Sequence, residues 1–299
     1  MSMQEKIAGN GEKNQIIGGM LYLVATPIGN LADLSPRAQK VLTEVDFIAA
    51  EDTRNSGQML ARFGISKPMV SYFEHNKRQR GEEIVSRLLA GESCALITDA
   101  GTPAISDPGE DLVALCAERG VPVTSIPGAC AAITALSVSG LPTGKFVFEG
   151  FLTTLKGEKR ARLAALSHEE RTIILYEAPH KLRGTLDDLL DAWGDRRISL
   201  CREITKLNEE IIRTTISGAI RLYEETAPRG EYVLVVEGAK NGGPAADEYP
   251  EDPAAHVQML MDSGMERMDA IKAAAKARGL SKGVFYKQLL SADDTSDVE

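Results

Sequence analysis

Short apolar runs alternate with helical patterns over the first half of the chain. Each run is bounded by turn residues, as is typical of buried strands. Ser35-Pro36 and Asp107-Pro108 each predict a helix start, because a capping side chain precedes a proline that fits the first turn. Strands that alternate with helices predict βαβ units and a mainly parallel sheet. The predicted strands are Leu21 to Thr26, Val45 to Ala50, Cys94 to Thr98 and Val121 to Ile126.

The alternation restarts after Pro142 and predicts a second α/β domain. Several of its strands follow one another directly after Ile198, which favours a mixed sheet over a purely parallel one. The predicted strands are Phe146 to Gly150, Arg171 to Tyr176, Ile198 to Arg202, Glu210 to Thr215 and Tyr232 to Glu237. The predicted helices are Lys159 to Leu166, His180 to Ala192 and Ser217 to Glu225.

A Gly/Pro/Asp-rich stretch separates these domains from three short helical patterns at the end of the chain. The patterns cover Ala254 to Met261, Arg267 to Ala277 and Lys282 to Leu290. A tight glycine turn before a helix capped by Ser281 resembles a helix-turn-helix module. The predicted organisation is a disordered leader over 1–18, α/β domains over 19–142 and 143–239, a linker over 240–253, a helical module over 254–291 and an acidic tail over 292–299.

Composition narrows the class of protein. The sequence contains no apolar run of the length that crosses a bilayer, and its start lacks the apolar core of a signal peptide, so we expect a cytoplasmic protein. The four cysteines lack the spacing of a zinc clamp, which predicts small buried residues and no metal.

The net charge of −9 by itself argues against a nucleic-acid partner, but the positive charges are clustered along the chain. Local basic patches on an acidic protein can still steer toward phosphate, or they can be solvated helix faces. The basic stretches are His75 to Arg80, Lys156 to Arg162, His180 to Arg183 and Arg267 to Lys287.

The loops that follow the predicted strands are the candidates for chemistry, because open α/β sheets bind ligands at the carboxyl ends of their strands. The loop from Asp99 to Gly109 is longer and richer in Gly, Pro and Asp than a plain connection requires. Its backbone N–H groups and its carboxylate suit a ligand with both a carboxylate and an ammonium. No G-x-G-x-x-G follows a strand, so a dinucleotide site is not supported.

Eight sequence strings resemble the ribosomal RNA small subunit methyltransferase I family, of the tetrapyrrole-methylase-like superfamily. They occur in family order between about Met20 and Leu290. The strings are LYLVATPIGNLADLS, AAEDTR, LITDAGTPAISDPG, PGACAAITAL, FEGFL, YEAPHKL, CREITK and PRGEYVLVVEG.

This resemblance implies two α/β domains with S-adenosylmethionine between them and a small C-terminal helical module. It also implies a homodimer that methylates the 2′-hydroxyl of a cytidine in the decoding centre of 16S rRNA, within the small ribosomal subunit. Pro27-Ile28-Gly29 departs from the Gly-Pro-Gly loop of small-molecule members, which counts against a porphyrin substrate.

The family's cofactor positions can be carried over one by one. The methionine part is expected against Asp99 to Thr102, and the adenine side near Tyr176 and Pro228, unless these two are only core and turn residues. The implied cofactor-binding residues are Pro27, Asp99, Ala100, Gly101, Thr102, Ile105, Cys130, Ala131, Tyr176, Ala227 and Pro228.

No residue is identified as a general base. Methyl transfer depends chiefly on positioning, although a ribose hydroxyl benefits from a proton acceptor. Arg54 suits a bidentate phosphate contact, or it belongs with Glu51 and Asp52 to a structural ion-pair cluster. The candidates near the cleft are Glu51, Asp52, Arg54, Glu177, Glu203 and Lys206.

Two alternative functions remain open at this point. One is a C-methyltransferase of a porphyrin-like small molecule, and the other is a non-catalytic RNA-binding factor of ribosome assembly. The altered first loop and the helical module count against the first alternative, and the intact Asp99 loop counts against the second. We further expect His75 to Arg80 and Lys156 to Arg162 to hold RNA at the mouth of the cleft.

Overall fold

The computed structural model describes residues 15–240, 250, 252–262, 264–278, 280 and 282–293. The chain divides into two compact units, Met1–Ala239 and Lys240–Glu299. The first unit contains both α/β domains. Most of the predicted leader (1–14), most of the linker (241–249) and residues 294–299 of the tail lie outside the described residues. Ile16 and Ile17, which the sequence assigns to the leader, pack against the core of the first sheet.

The first sheet has five strands in the order β3-β2-β4-β1-β5, and every pair is parallel. Its strands are β1 (Leu21–Val24), β2 (Phe47–Ala50), β3 (Met69–Ser71), β4 (Cys94–Ile97) and β5 (Val123–Ile126). The predicted parallel sheet is thus present, with one strand, β3, that the sequence pattern misses. Strands β2 and β4 are buried at every position, as central parallel strands covered on both faces must be.

Five helices accompany this sheet: α1 (Pro36–Glu44), α2 (Thr53–Arg62), α3 (Lys77–Leu89), α4 (Glu110–Glu118) and α5 (Ala131–Val138). Helix α1 begins as predicted, because the Ser35 hydroxyl accepts from the N–H of Ala38 and proline follows it. The prediction that Asp107-Pro108 caps α4 is wrong. Gly109 is the N-cap at φ 145°, with no side-chain cap, because Asp107 lies two residues earlier in the preceding loop.

The second sheet has the order β6-β7-β10-β8-β9. Only β6 and β7 are parallel and the other pairs are antiparallel, so the predicted mixed sheet is present. Its strands are β6 (Phe146–Phe151), β7 (Thr172–Glu177), β8 (Arg197–Arg202), β9 (Glu210–Thr215) and β10 (Tyr232–Val236). Its helices are α6 (Lys156–Ala165), α7 (Leu182–Trp193) and α8 (Ile216–Glu225).

Three apolar cores stabilise the α/β domains, and a fourth joins them. One core lies on each face of the first sheet, and a third lies between the second sheet and α6 to α8. In the fourth, Ala132, Ala135 and Leu136 of α5 pack on residues of β7, β8 and β10. Helix α5 therefore connects the end of the first domain to the middle of the second sheet.

The second compact unit contains α9 (Pro253–Asp262), α10 (Arg267–Ala277) and α11 (Lys282–Asp293). The three helices have a core of their own, in which Phe285 is fully buried beside Ile271 and Val257. Two residues of the predicted turn, Gly279 and the capping Ser281, lie outside the described residues. Among the residues that are described, no helix combines the length and the apolarity needed to cross a membrane.

Candidate functional site

A cavity of about 610 Å³ opens where loops of the first sheet meet loops of the second. The volume falls in the range that holds a small molecule or cofactor. Its apolar wall includes Ile28, Ile105, Phe151, Tyr176, Ile204 and Val233. Its charged or titratable groups are Glu51, Asp99, Asp107, Cys130, Glu177, His180, Cys201, Lys206, Glu231 and Tyr232.

The loop between β4 and α4, residues 98–109, forms one side of the cavity. Gly101 exchanges two backbone hydrogen bonds with Thr26 (2.9 and 3.1 Å), and the Thr102 hydroxyl donates to the carbonyl of Ala129. Gly101 has φ 81° and is buried, so a side chain there would be strained. These contacts tie the loops after β1, β4 and β5 together at one edge of the sheet.

Two backbone amides of this loop are available to a ligand. Within the part of the chain that the structure describes, the N–H groups of Ala100 and Thr102 donate to no protein acceptor. Both residues line the cavity. Ala100 is exposed and Thr102 is half-buried, so a cavity ligand with acceptor oxygens can reach both N–H groups. These two N–H groups are donors that suit the ligand carboxylate expected from the sequence.

Glu51, Asp99 and Asp107 concentrate negative charge on the same side. Burial, together with the nearby carboxylates of Glu51 and Asp99, raises the pKa of Asp107 to about 6. Burial also raises the pKa of Glu51, and the negative charge of Asp99 raises it further. A hydrogen bond from the backbone N–H of Asp99 acts in the opposite direction and lowers it. Like charges at close range repel, so these carboxylates favour a cationic ligand among them.

Tyr176 joins the two domains and also lines the cavity. Its hydroxyl accepts a hydrogen bond of 3.1 Å from the N–H of Ala132 in the first turn of α5. Its ring meets those of Phe148 and Phe151 edge to face at 5.1 and 5.4 Å. Burial raises the pKa of Tyr176 to about 12, so the phenol stays protonated at neutral pH. The side chain is thus both a core residue and part of the cavity wall.

Glu177 and Lys206 line the cavity with their polar groups already paired. Glu177 accepts from the N–H of Ala178 at 2.8 Å and from the hydroxyl of Thr185 at 2.5 Å. Lys206 forms ion pairs with Glu203 (2.9 Å) and Glu231 (2.8 Å). Burial acts to lower the pKa of Lys206, but the hydrogen bonds to Glu231 and Glu203 raise it above its usual value. Neither group is suited to accept a proton.

The structure brings most of the predicted cofactor residues to one cavity. The eight that line it are Asp99, Ala100, Gly101, Thr102, Ile105, Cys130, Ala131 and Tyr176. Pro27, Ala227 and Pro228 do not line it. Pro27 is buried, and the neighbouring Ile28 faces the cavity instead. Ala227 is exposed, and the adjoining β10 contributes Tyr232 and Val233 to the lining.

The suggested group of Glu51, Asp52 and Arg54 separates in the structure. Glu51 lines the cavity. Asp52 is the N-cap of α2 and accepts from the N–H groups of Arg54 and Asn55. The Arg54 side chain is 87% exposed and pairs with Asp52 at 3.3 Å. Asp52 and Arg54 therefore act at the start of a helix, whereas Glu51 belongs to the cavity.

Several cavity residues are absent from the sequence-based set: Ile28, Asp107, Phe151, Ala178, Pro179, His180, Cys201, Ile204, Glu231, Tyr232 and Val233. Asp107 carries a sequence signal, since it lies in the same long loop as Asp99. Its position before a proline instead favours a helix cap. Ile28 follows β1 in the first domain. The others come from the second domain, where no sequence pattern shows which strand ends face the first domain.

The basic stretches expected at the mouth of the cleft supply no lining residue. Ion pairs engage Lys77 with Glu74 and Asp111, and Arg80 with Glu83. In the other stretch, Lys159 pairs with Asp188 and Arg162 with Glu149. Over the residues that the structure describes, Arg78, Lys156 and Arg160 of these two stretches form no ion pair, and neither do Lys181 and Arg183 of a third stretch, so these cations can contact a polyanion.

We predict that Asp107→Asn stabilises the protein at neutral pH. The pKa of Asp107 is higher in the folded protein than in the unfolded chain, so the folded protein keeps this proton to a higher pH. The wild-type protein therefore loses stability as the pH rises from about 4 to 6. After a discount for solvent in the cavity, the variant should gain about 1–2 kcal/mol at pH 8 and almost nothing at pH 4.

Chemical denaturation at both pH values measures this gain. Glu110→Gln, in the first turn of α4, is the matched control, because it removes one charge three residues away and outside the cavity lining. An equal gain at both pH values would show that the Asp107 carboxylate is not destabilised by its surroundings.

Comparison with known proteins identifies the family of the chain. The model of the tetrapyrrole (corrin/porphyrin) methylases matches residues 20–220. The ribosomal RNA small subunit methyltransferase I of Synechocystis sp. is 46% identical over 92% of this chain and 99% of its own length. That of Bacillus subtilis is 44% identical over 95% of this chain and 97% of its own.

Solved structures agree on the fold. Uroporphyrin-III-C-methyltransferase from Thermus thermophilus aligns with a TM-score of 0.53 at 21% identity, covering 73% of this chain and 94% of that one. A uroporphyrin-III C-methyl transferase from the same organism, complexed with S-adenyl homocysteine, aligns at 0.51 with 18% identity, covering 73% and 97%. The predicted fold class and the predicted family resemblance are confirmed.

Proposed function

Because the chain belongs to the ribosomal RNA small subunit methyltransferase I family, within the tetrapyrrole methylases, we propose that it methylates the 2′-hydroxyl of a cytidine in the decoding centre of 16S rRNA. The observation that carries this proposal is the 46% identity, over almost the whole chain, to a relative named for small-subunit rRNA. The cofactor is S-adenosylmethionine, as the match to a methylase family implies.

The cavity fits the chemical groups of this cofactor. In our proposal the N–H groups of Ala100 and Thr102 receive its carboxylate. Asp99 receives its ammonium, with a charge-assisted hydrogen bond. The apolar wall that includes Ile105 and Tyr176 suits the adenine. Cys130 and Ala131, at the start of α5, complete the site beside Tyr176.

The second domain offers a surface for an RNA nucleotide. Phe151 lines the cavity, yet 60% of the residue is exposed, which is unusual for a phenylalanine at a strand end. An exposed ring beside a cavity can stack an unpaired base. Lys156 and Arg160 on α6, and Lys181 just before α7, have no ion-pair partner among the described residues and can contact phosphates. We propose that these groups hold the target nucleotide.

Positioning accounts for most of the chemistry in this proposal. The bound cofactor supplies a methyl group on a cationic sulfur, which needs no metal to make it reactive. The protein aligns the hydroxyl with that carbon in a near-attack geometry.

Methyl transfer to defined acceptors tests the proposal. Purified protein with methyl-labelled S-adenosylmethionine should label small ribosomal subunits far more than a porphyrinogen. Transfer to the porphyrinogen alone would favour the small-molecule C-methyltransferase. Binding to subunits without labelling any acceptor would favour a non-catalytic assembly factor.

The same proposal includes a homodimer in the cytoplasm. Both follow from the family resemblance, and the proposed rRNA substrate is found in that compartment. Sedimentation at several protein concentrations tests the dimer. A monomer at all concentrations that support methylation would remove the dimer from the proposal and leave the chemistry intact.

A further inference from the structure

We propose that Asp107 is the catalytic residue that accepts the proton of the attacking hydroxyl. This inference rests on the proposed function and adds to it the role of one side chain. The carboxylates of the cavity differ in whether protein groups hydrogen-bond to them. A carboxylate that no protein donor engages is the better proton acceptor, because hydrogen bonds to the ionised form make a carboxylate less basic.

The other carboxylates of the cavity have hydrogen-bond partners. Asp99 accepts from the side-chain amide of Asn55 at 3.3 Å. Both oxygens of Glu177 are bonded, as described above, and Glu231 is paired with Lys206. Glu51 receives a backbone hydrogen bond from Asp99. Asp107 lines the same cavity and has no hydrogen-bond or ion-pair partner among the residues that the structure describes.

The backbone around Asp107 fixes its position without such a partner. Ala104 and Ser106 have φ of 67° and 60°, a backbone conformation that residues other than glycine rarely adopt. Gly109 follows at φ 145°, and a Cβ there would lie 2.9 Å from the side chain of Leu96. Strained residues of this kind persist where the surrounding structure holds them, and they concentrate at functional sites.

A bulge in the second sheet holds this loop in place. The pairing of β6 with β7 shifts register between Phe148 and Gly150. A Cβ at Gly150 would lie only 2.6 Å from the Ser106 hydroxyl oxygen, so the absence of a side chain makes room for the loop. Asp107 therefore reaches the cavity from a loop that is seated against the second domain.

The electrostatic surroundings make Asp107 a base near neutral pH. Glu51 and Asp99 face it, and Tyr176 lies close enough to be influenced by its charge. Burial and the two carboxylates raise the pKa of Asp107 to about 6, which leaves it ionised but more basic than an ordinary aspartate. Tyr176 and Lys206, whose pKa values are raised, stay protonated and do not compete.

The proposed step balances without any further reactant. The hydroxyl oxygen forms a bond to the methyl carbon, and the carbon–sulfur bond breaks with its electron pair left on sulfur. The hydroxyl proton moves to the Asp107 carboxylate. The products are a methyl ether, neutral S-adenosylhomocysteine and a protonated Asp107, which then releases its proton to solvent.

Asp107→Asn separates catalysis from cofactor binding. S-adenosylhomocysteine binding, measured by calorimetry at pH 8, should change by less than about threefold. Single-turnover methylation of small ribosomal subunits should fall by about 100-fold or more, the usual contribution of a positioned base. The wild-type rate should decline below about pH 6, where Asp107 gains a proton, and this acid limb should be missing from the variant. Glu110→Gln should behave as wild type in both measurements.

Glu51→Gln provides a second, graded test. Removing the neighbouring charge lowers the pKa of Asp107, so the acid limb of the single-turnover rate at saturating cofactor should move to lower pH. An Asp107→Asn enzyme with an unchanged rate would overturn the inference, and so would a loss of binding as large as the loss of rate. A wild-type enzyme that labels no ribosomal acceptor would instead overturn the proposed function, and this inference with it.

Discussion

Asp99→Asn is expected to weaken S-adenosylhomocysteine binding by about 10- to 100-fold, the effect of removing one charge-assisted hydrogen bond. Asp99 lies on the cavity beside two free backbone amides, and in our proposal these groups receive the ammonium and the carboxylate of the cofactor. The asparagine keeps the size of the side chain and loses only its charge. Titration calorimetry measures the change directly.

Asp33→Asn is the matched control for this prediction. Asp33 is exposed, carries the same charge and does not line the cavity. Its substitution should leave the dissociation constant within about twofold. If the Asp99 variant folds and binds as tightly as this control, the carboxylate has no part in holding the cofactor.

A chain that ends at Gly243 is expected to bind S-adenosylhomocysteine normally but to methylate small subunits at least about tenfold more slowly. The first compact unit, up to Ala239, contains the whole cavity and its own cores, so cofactor binding does not require the rest. The removed unit carries basic residues that can contact phosphate. The methylation defect should depend on salt, because phosphate contacts weaken as salt rises.

Charge reversal refines this second prediction. Lys276, Arg278 and Lys282 are the obvious choices from the sequence, but Arg278 donates to the carbonyl of Pro250 and lies over the ring of Phe285. The side chains of Lys276 and Lys282 are outside the described residues. Arg267→Glu with Lys287→Glu is the better variant, since both residues are exposed. Full activity of the truncated chain would show that the module does not contribute to substrate binding.

Local patterns predicted most of the fold. Nine of the ten strands were expected from the sequence, most clearly the central ones, whose apolar runs are buried between covered faces. Strand β3 was missed because it has only three residues, all partly exposed, at the edge of the sheet. A segment this short has no periodicity that distinguishes it from a loop.

The first-domain side of the site was predicted more fully than the second-domain side, from which only Tyr176, Glu177 and Lys206 were expected. The Asp99 loop was predicted to bind a ligand from its length and its Gly/Pro content, which are local properties. Phe151 and Val233 reach the cavity because α5 packs on the second sheet, and no local pattern encodes that contact. Asp107 was misassigned as a helix cap, since the loop continues to Gly109 and the helix begins only at Glu110.

Alkaline hydrolysis of the product tests the central proposal most directly. Methylation of a 2′-hydroxyl blocks the group that attacks the adjacent phosphate, so 16S rRNA from treated subunits should resist cleavage after one cytidine of the decoding centre. Untreated rRNA should be cleaved there. A methylated cytidine whose adjacent bond is still cleaved by alkali would place the methyl group on the base and contradict the account.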